Sequence, residues 1–416
     1  MGQQSVSAYQ NAMKETYGPG MRNSLNNSNP LLTEVVRKDD MEMDFEGMNA
    51  VWSIHTGRST ATGGRKEGVA LPVSDRQRTS KAREDLAYIY KPIKITGQAK
   101  HATNTKAGAF ASAIEFELKG ADSDLKDDTA RQLYSDGLTD GTNLQSGVVA
   151  VLTADPGTGT TWTVAGSTDS EMRYFFVNET FKVINPSGGA ARTGTYTITA
   201  IDRAAKTLTT AEAADAGVAS GDYVVRGDTA GNSFGGEVHG IRWILSDTKK
   251  VSGIDPATNP QWAALKFGSS TTAFSEVLLD QMTEGVETDG NGSTPDLYIC
   301  EHIQRRKLAS TLQSQKRYDG AQVTLTAGWK GLAVARGTLL ADKYCPTTFV
   351  AAITPSELAR FVNLDFTWDE DDNTGSVFFK AQDGTDAVEA RYKVYHQMAA
   401  LTRNAHSFAT VSVPPL

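Results

Sequence analysis

The chain has 416 residues, with 41 Lys and Arg against 49 Asp and Glu and a formal net charge of −8. That length suggests two to three domains, and 39% hydrophobic residues is enough for a real core. The acidic balance argues against a protein that coats nucleic acid, which needs surplus cations to displace counterions. It leaves open a container whose weakly acidic wall lets packed DNA slide. Two cysteines, Cys300 and Cys345, sit at no metal-ligand spacing and define no disulfide framework, which fits synthesis in a reducing cytoplasm. No run of 18 apolar residues is present to cross a membrane, and the polar stretch Met1 to Gln10 has no signal-peptide core. Met1-Gly2 is not read as a myristoylation start, because Val6 stands where Ser or Thr is needed.

Residues 1–43 read as an arm. Gly18-Pro19-Gly20 and Asn23 to Pro30 form turns and coil, and Leu31, Leu32, Val35 and Val36 make a short apolar patch expected to dock on a neighbour. Residues 44–98 form a glycine-rich basic segment. From His55 to Lys100 there are ten Lys or Arg and four acids. The segment closes with Ala87 to Thr96, a strand that Pro92 marks as an edge. A long two-stranded ribbon is expected, which cannot bury a core alone and must lie on something acidic. Its basic run from Arg58 to Arg83 carries no interleaved aromatics, as stacking on bases would need.

Residues 105–136 read as one long helix. Phe110, Ile114, Leu118, Ala121, Leu125, Thr129 and Leu133 recur every three to four residues, and Asp136-Gly137 supplies a stop. About 30 residues span on the order of 45 Å, the length of a strut. Residues 138–232 change to short strands separated by Gly, Pro, Asp and Ser, including Phe175 to Val177 and a hairpin at Ile201 to Leu208. They imply a small all-β barrel or sandwich. After Gly235 the pattern is mixed α/β. Strands are expected at Trp243 to Leu245, Pro295 to Cys300, Leu332 to Val334, Thr347 to Ile353 and Ala405 to Val413, with helices around Phe274 to Met282 and Glu301 to Tyr318. Asp365 to Trp368 and Ser376 to Lys380 flank a turn and suggest a hairpin with an acidic tip, Asp369, Glu370, Asp371 and Asp372.

This order of parts resembles the tailed-bacteriophage major capsid proteins of the Hong Kong 97-type fold. The segments that carry the likeness are Tyr90 to Gln98, the helix Lys106 to Gly137, the strand-then-helix Pro295 to Tyr318, and Arg336 to Pro355. The resemblance implies an α+β phage major capsid fold with an inserted small all-β domain. Its parts would be the N-terminal arm (1–43), the E-loop (44–98), the spine helix of the peripheral domain (99–137), the insertion (138–232), the peripheral-domain return (233–260), the axial domain (261–380) and C-terminal strands (381–416). It implies a non-enzymatic protein, without cofactor or metal, that assembles with itself into pentamers and hexamers. The icosahedral shell would enclose double-stranded DNA, with scaffolding, portal and decoration proteins as partners. Assembly would occur in the bacterial cytoplasm, and the protein would end in the virion. An encapsulin-like compartment shell and another virion protein, such as a tail tube or decoration protein, are the alternatives. Candidate inter-subunit contacts are Arg58, Arg65, Lys66, Arg76, Arg78, Lys81 and Arg83 on the ribbon, with Asp369, Glu370, Asp371 and Asp372 opposite. Some relatives crosslink a ribbon lysine to a neighbour's asparagine; Lys66 and Lys81 are the candidates for that role.

Catalytic motifs are sparse. Gly231-Asn232-Ser233-Phe234-Gly235 matches a nucleophile-elbow pattern, which needs a strand before it, a helix after it and a later His; a linker returning from the β region is the expected reading. Asp289-Gly290-Asn291-Gly292-Ser293 begins like a calcium loop but lacks its later ligands, with Cys300 in place of the bidentate acid. The histidines at 55, 101, 239, 302, 396 and 406 are scattered and read as surface or packing residues.

Overall fold

A computed structural model describes residues 29–32, 42–44, 49–102, 113–165, 171–313, 322–324, 330–334, 336–370, 376–380 and 385–413. The apolar run Leu297–Cys300, buried at all four positions, is the central strand of a seven-stranded mixed sheet. It pairs in parallel with Gly337–Ala341 and antiparallel with Phe349–Ile353. Ser407–Thr410 and Leu265–Gly268 extend one side, Lys330–Val334 and Gln322–Thr324 the other. The helix Glu276–Asp289 covers this sheet, with Ser275 Oγ capping it by accepting from Leu278 N at 3.3 Å. Its Leu278, Leu279 and Met282 pack against Tyr298, Leu339, Val350 and Ala409. Gly285 is required there, because a Cβ would meet the Phe267 ring at 2.3 Å.

The alternating segment after residue 147 closes into a six-stranded barrel: Val148–Leu152, Thr161–Ala165, Thr180–Ile184, Tyr196–Asp202, Thr207–Thr210 and Tyr223–Arg226. Closure leaves no strand edge open. Trp162, Phe181 and Tyr196 fill its interior with ring centroids 4.6–5.4 Å apart, and Trp162 Nε1 donates to Thr210 Oγ1. The expected strand at Phe175 to Val177 is absent. A 3-10 turn over Glu171–Tyr174 leads instead into a tight turn in which Asn178 has φ 69° and Phe176 and Val177 are exposed.

The described residues fall into two compact units, one drawn from Lys91–Asp124 and Trp368–Tyr392, the other from the remainder. In the first, Leu118 and Ala121 of the helix Ala113–Gln132 pack with Ile93, Ala390, Trp368, Val377 and Phe378. Phe379–Lys380 pairs with Ala387–Ala400 (Phe379↔Glu389) rather than forming the expected hairpin with Asp365 to Trp368. The later strand is longer, and it supplies that edge.

In the second unit the same helix buries Leu125, Thr129 and Leu133. It ends at Gln132, before the expected stop, because Tyr134 N and Ser135 N bond back only three residues and tighten the last turn. Its 20 residues span about 30 Å; residues 103–112 lie outside the described part. The expected strand at Trp243 to Leu245 is a helical turn, Ile241–Ile244, with Ile244 N and Leu245 N bonding four residues back. Three consecutive apolar residues carry no period to tell helix from strand. The expected neighbour-docking patch is also corrected: Leu31 and Leu32 are buried in their own chain, with Leu31 N donating to Asp342 Oδ2. Val35 and Val36 lie outside the described residues.

Candidate inter-subunit ribbon

Asn49–Gly57 and Arg78–Asp85 pair antiparallel, with Asn49 opposite Asp85 and a bulge between His55 and Gly57. Side chains alternate between faces. Ala50, Trp52, Ile54, Ala82 and Glu84 point inward, and Ala50, Ala82 and Glu84 are buried. Trp52 anchors this half of the ribbon by stacking on Phe361 at 5.5 Å and donating from Nε1 to Leu401 O at 3.2 Å. Ile54 and Ala82 pack on Ile254 and Trp262. The half of the ribbon nearest its base therefore lies on its own chain.

The distal part differs. Residues 58–77 form a loop whose two sides are tied by His55 Nε2 to Gln77 Oε1 (2.8 Å) and by Thr60 N donating to Asp75 Oδ2 (3.1 Å). Backbone donors from Thr60 and Arg76 hold the Asp75 carboxyl below its ordinary value. Beyond these ties Val69, Leu71 and Val73 are 57%, 82% and 86% exposed. Large apolar side chains standing together in water mark an interaction surface. The continuous run Val69-Ala70-Leu71-Pro72-Val73 after Gly68 was the sequence signal for it; attention to charge alone passes it over.

All seven ribbon cations are exposed, but they fall into two groups. Lys81 and Arg83 stand on the outward face of the anchored half, opposite Ser53 and Val51. Arg58, Arg65, Lys66, Arg76 and Arg78 belong to the loop or its margins. Arg83 meets Asp85 at 3.5 Å, and Arg65 donates to Ala70 O and Gly64 O. Among the described residues Arg58, Lys66, Arg76 and Lys81 form no ion pair. Asp369 and the exposed Glu370 both belong to the smaller unit, on its Trp368–Tyr392 span, whereas the ribbon belongs to the larger. Asp369 N donates to Arg391 O. Asp371 and Asp372 lie outside the described residues.

The catalytic motif does not have elbow geometry. Ser233 sits in a turn seven residues past the strand Tyr223–Arg226, its Oγ buried without a hydrogen-bond partner, and Gly235 has φ 73°. No helix follows directly. Asp289 ends a helix, and Asn291 Oδ1 accepts from Ser293 N in a local turn. Among the described residues no group of three or more His, Cys, Asp or Glu is placed to hold a metal ion. None of the described helices is long and apolar enough to cross a membrane.

No family model matches this sequence, and no curated protein does. Solved structures do. The capsid asymmetric unit of cyanophage A-1(L) aligns over 99% of both chains with a TM-score of 0.59 at 13% identity. The capsid of a native GTA particle aligns over 99% of both chains with a TM-score of 0.51 at 9% identity. This chain has the phage major capsid fold. The holo-SrpI encapsulin complex from Synechococcus elongatus PCC 7942 also aligns, over 100% of this chain and 98% of that one, with a TM-score of 0.49 at 9% identity.

Proposed function

We propose that the chain is a major capsid protein that assembles as pentamers and hexamers into the icosahedral head of a tailed phage, around double-stranded DNA. The observation that carries this reading is the distal ribbon, where Leu71 and Val73 project from a capsid fold with their side chains in water. Leaving them there wastes burial worth about 1.5–3 kcal/mol each; repeated by symmetry, that burial stabilises a shell. In this reading residues 44–98 are the E-loop, the helix Ala113–Gln132 is the spine of the peripheral domain, and the seven-stranded sheet belongs to the axial domain. The barrel within 138–232 is an insertion into the capsid fold. Scaffolding, portal and decoration proteins are the partners, assembly takes place in the host cytoplasm, and the shell is part of the virion. The protein has no catalytic role.

Negative-stain images of the purified protein test this directly. Closed icosahedral particles are expected, and particles from infected cells should carry nucleic acid. Tubes, or monomers under every assembly condition, would overturn it. Closed particles filled with a protein cargo and free of nucleic acid would move the assignment to a compartment shell.

A further inference from the structure

The barrel carries a shallow surface groove of about 690 Å³, with one wall made by Phe175, Phe176 and Val177 and the other by Ile201, Asp202 and Arg203. Phe175 is buried, but Phe176 and Val177 are 41% and 52% exposed. The turn that displays them is held from inside. Arg226 forms an ion pair with Glu179 and donates from Nη2 to Tyr174 O at 3.0 Å, so it grips both ends of the turn. Glu179 Oε2 accepts from Phe176 N at 3.2 Å, and Asn178 N donates to Ile198 O at 2.8 Å. Asn178 takes the left-handed conformation, φ 69°, which few residues other than glycine adopt. A partly buried ion pair and an uncommon backbone conformation thus fix two large apolar side chains in water. Turns determined in this way gather at functional surfaces.

The opposite wall carries two charges that stay unmatched in their own chain. Asp202 ends the strand Tyr196–Asp202, and its Oδ1 accepts from Ala204 N and Ala205 N, both at 2.9 Å, which fixes the hairpin turn. Arg203, the next residue, is exposed. Among the described residues neither side chain forms an ion pair. An acid and a base side by side, next to an apolar patch, make a surface complementary to itself. About a two-fold axis each charge faces its opposite, and apolar surface meets apolar surface.

We propose that this groove seats the same groove of a second copy of the chain across a two-fold axis, with Arg203 of each copy meeting Asp202 of the other and Phe176 and Val177 closing on the facing barrel. The inference rests on the capsid reading, in which a small contact gains its effect from repetition by symmetry. It joins barrel to barrel and involves no part of the ribbon. It also gives the barrel a use of its own, because no contact of an insertion follows from the fold into which it is inserted.

Single cysteines test the contact in particles. The native Cys300 and Cys345 are buried and do not compete. Particles of Val177→Cys, and separately of Phe176→Cys, are assembled from the purified chain under reducing conditions, treated with a short bis-maleimide and run on a denaturing gel. Covalent chain dimers are expected from at least one of them. Ala213→Cys, exposed on the barrel but outside the groove, should give none. Adding Arg203→Asp to the variant that links should cut the linked fraction about fivefold or more, because like charges then face each other, and Arg203→Lys should preserve it. Intact particles without dimers from either groove cysteine overturn the proposal, as do dimers equally abundant from Ala213→Cys or indifferent to Arg203→Asp. Absence of particles from the unsubstituted chain would instead remove the capsid reading itself.

Discussion

Arg131 Nη2 lies 2.8 Å from Glu237 Oε1, and both side chains are almost fully buried. Burial by itself would raise the Asp128 carboxyl, yet Arg131 and Arg226 outweigh it and hold that group well below the ordinary carboxylate range. The same carboxylates, against burial, hold the Arg131 guanidinium above its usual value. The pair joins the end of the helix Ala113–Gln132 to the chain that returns from the barrel. Arg131→Met keeps much of the side-chain volume, strands the buried Glu237 carboxylate and leaves Asp128 with Arg226 alone. A loss of about 3–5 kcal/mol is expected, read from chemical denaturation followed by circular dichroism. A loss under about 1 kcal/mol would show that the network is not holding these elements.

His406 makes the second prediction. It is buried at the start of an inner strand of the seven-stranded sheet; its Nδ1 accepts from Thr354 N at 3.2 Å, and Nε2 faces Glu357 O at 3.3 Å. That arrangement requires a neutral ring with its proton on Nε2, because a protonated Nδ1 would face the Thr354 N–H. Burial pushes the imidazole down to about 4 from its ordinary 6.5. The unfolded chain therefore binds the proton first. Stability is fully present above pH 6.5 and is lost as pH falls toward 4, by about 3 kcal/mol at roughly 1.4 kcal/mol per unit. Denaturation midpoints measured from pH 7 to 4 should show this slope, and His406→Gln should flatten it. An unchanged slope in that variant would assign the acid sensitivity to other groups.

Much of the fold was legible because its signals are local. The barrel strands lie between Gly and Asp turns, so Val148–Leu152 stands out as a continuous apolar run and Tyr196–Asp202 as an alternating one. The ribbon was visible as a basic excess in an acidic chain. Its division was not, because the anchoring of Trp52 on Phe361 joins residues about three hundred positions apart. The strand Phe379–Lys380 was found, but its partner was misassigned, because nearness in sequence favoured a hairpin and the longer strand Ala387–Ala400 supplies the edge. Leu31 and Leu32 were apolar as expected, but burial in their own chain follows from Asp342, which lies 311 residues beyond Leu31.

The ribbon tip allows assembly to be separated from folding. Leu71 and Val73 touch too little of their own chain for polar replacement to matter to the monomer. Leu71→Asp with Val73→Asp should change monomer stability by less than about 0.5 kcal/mol, as surface substitutions do. The same pair should reduce particle yield strongly, because each shell contact loses about 1.5–3 kcal/mol per side chain and gains a buried charge. Sedimentation velocity beside thermal unfolding reads both quantities. Normal particle yield would mean that the tip stays in solvent within the shell.

The acidic segment after Trp368 is the converse case. Glu370 is exposed, and Asp369 is fixed through its backbone to Arg391, so charge at these two positions can change without disturbing a packed core. We propose that in a shell the segment meets the basic ribbon of a neighbour, where opposite charge sets register and like charge is penalised. Changing Asp369, Glu370, Asp371 and Asp372 to Lys should therefore leave far-ultraviolet circular dichroism and the unfolding midpoint near those of the parent chain while damaging assembly. Because exposed pairs are screened over about 10 Å at 0.1 M salt, the parent chain should also assemble more slowly as salt rises, and the reversed variant should lose that dependence. Light scattering during assembly at two or more salt concentrations measures both effects. Normal shells from the reversed variant, with the parent's salt dependence intact, would remove the acidic segment from the contact and leave the ribbon's cations to other acidic surfaces of the neighbouring chain.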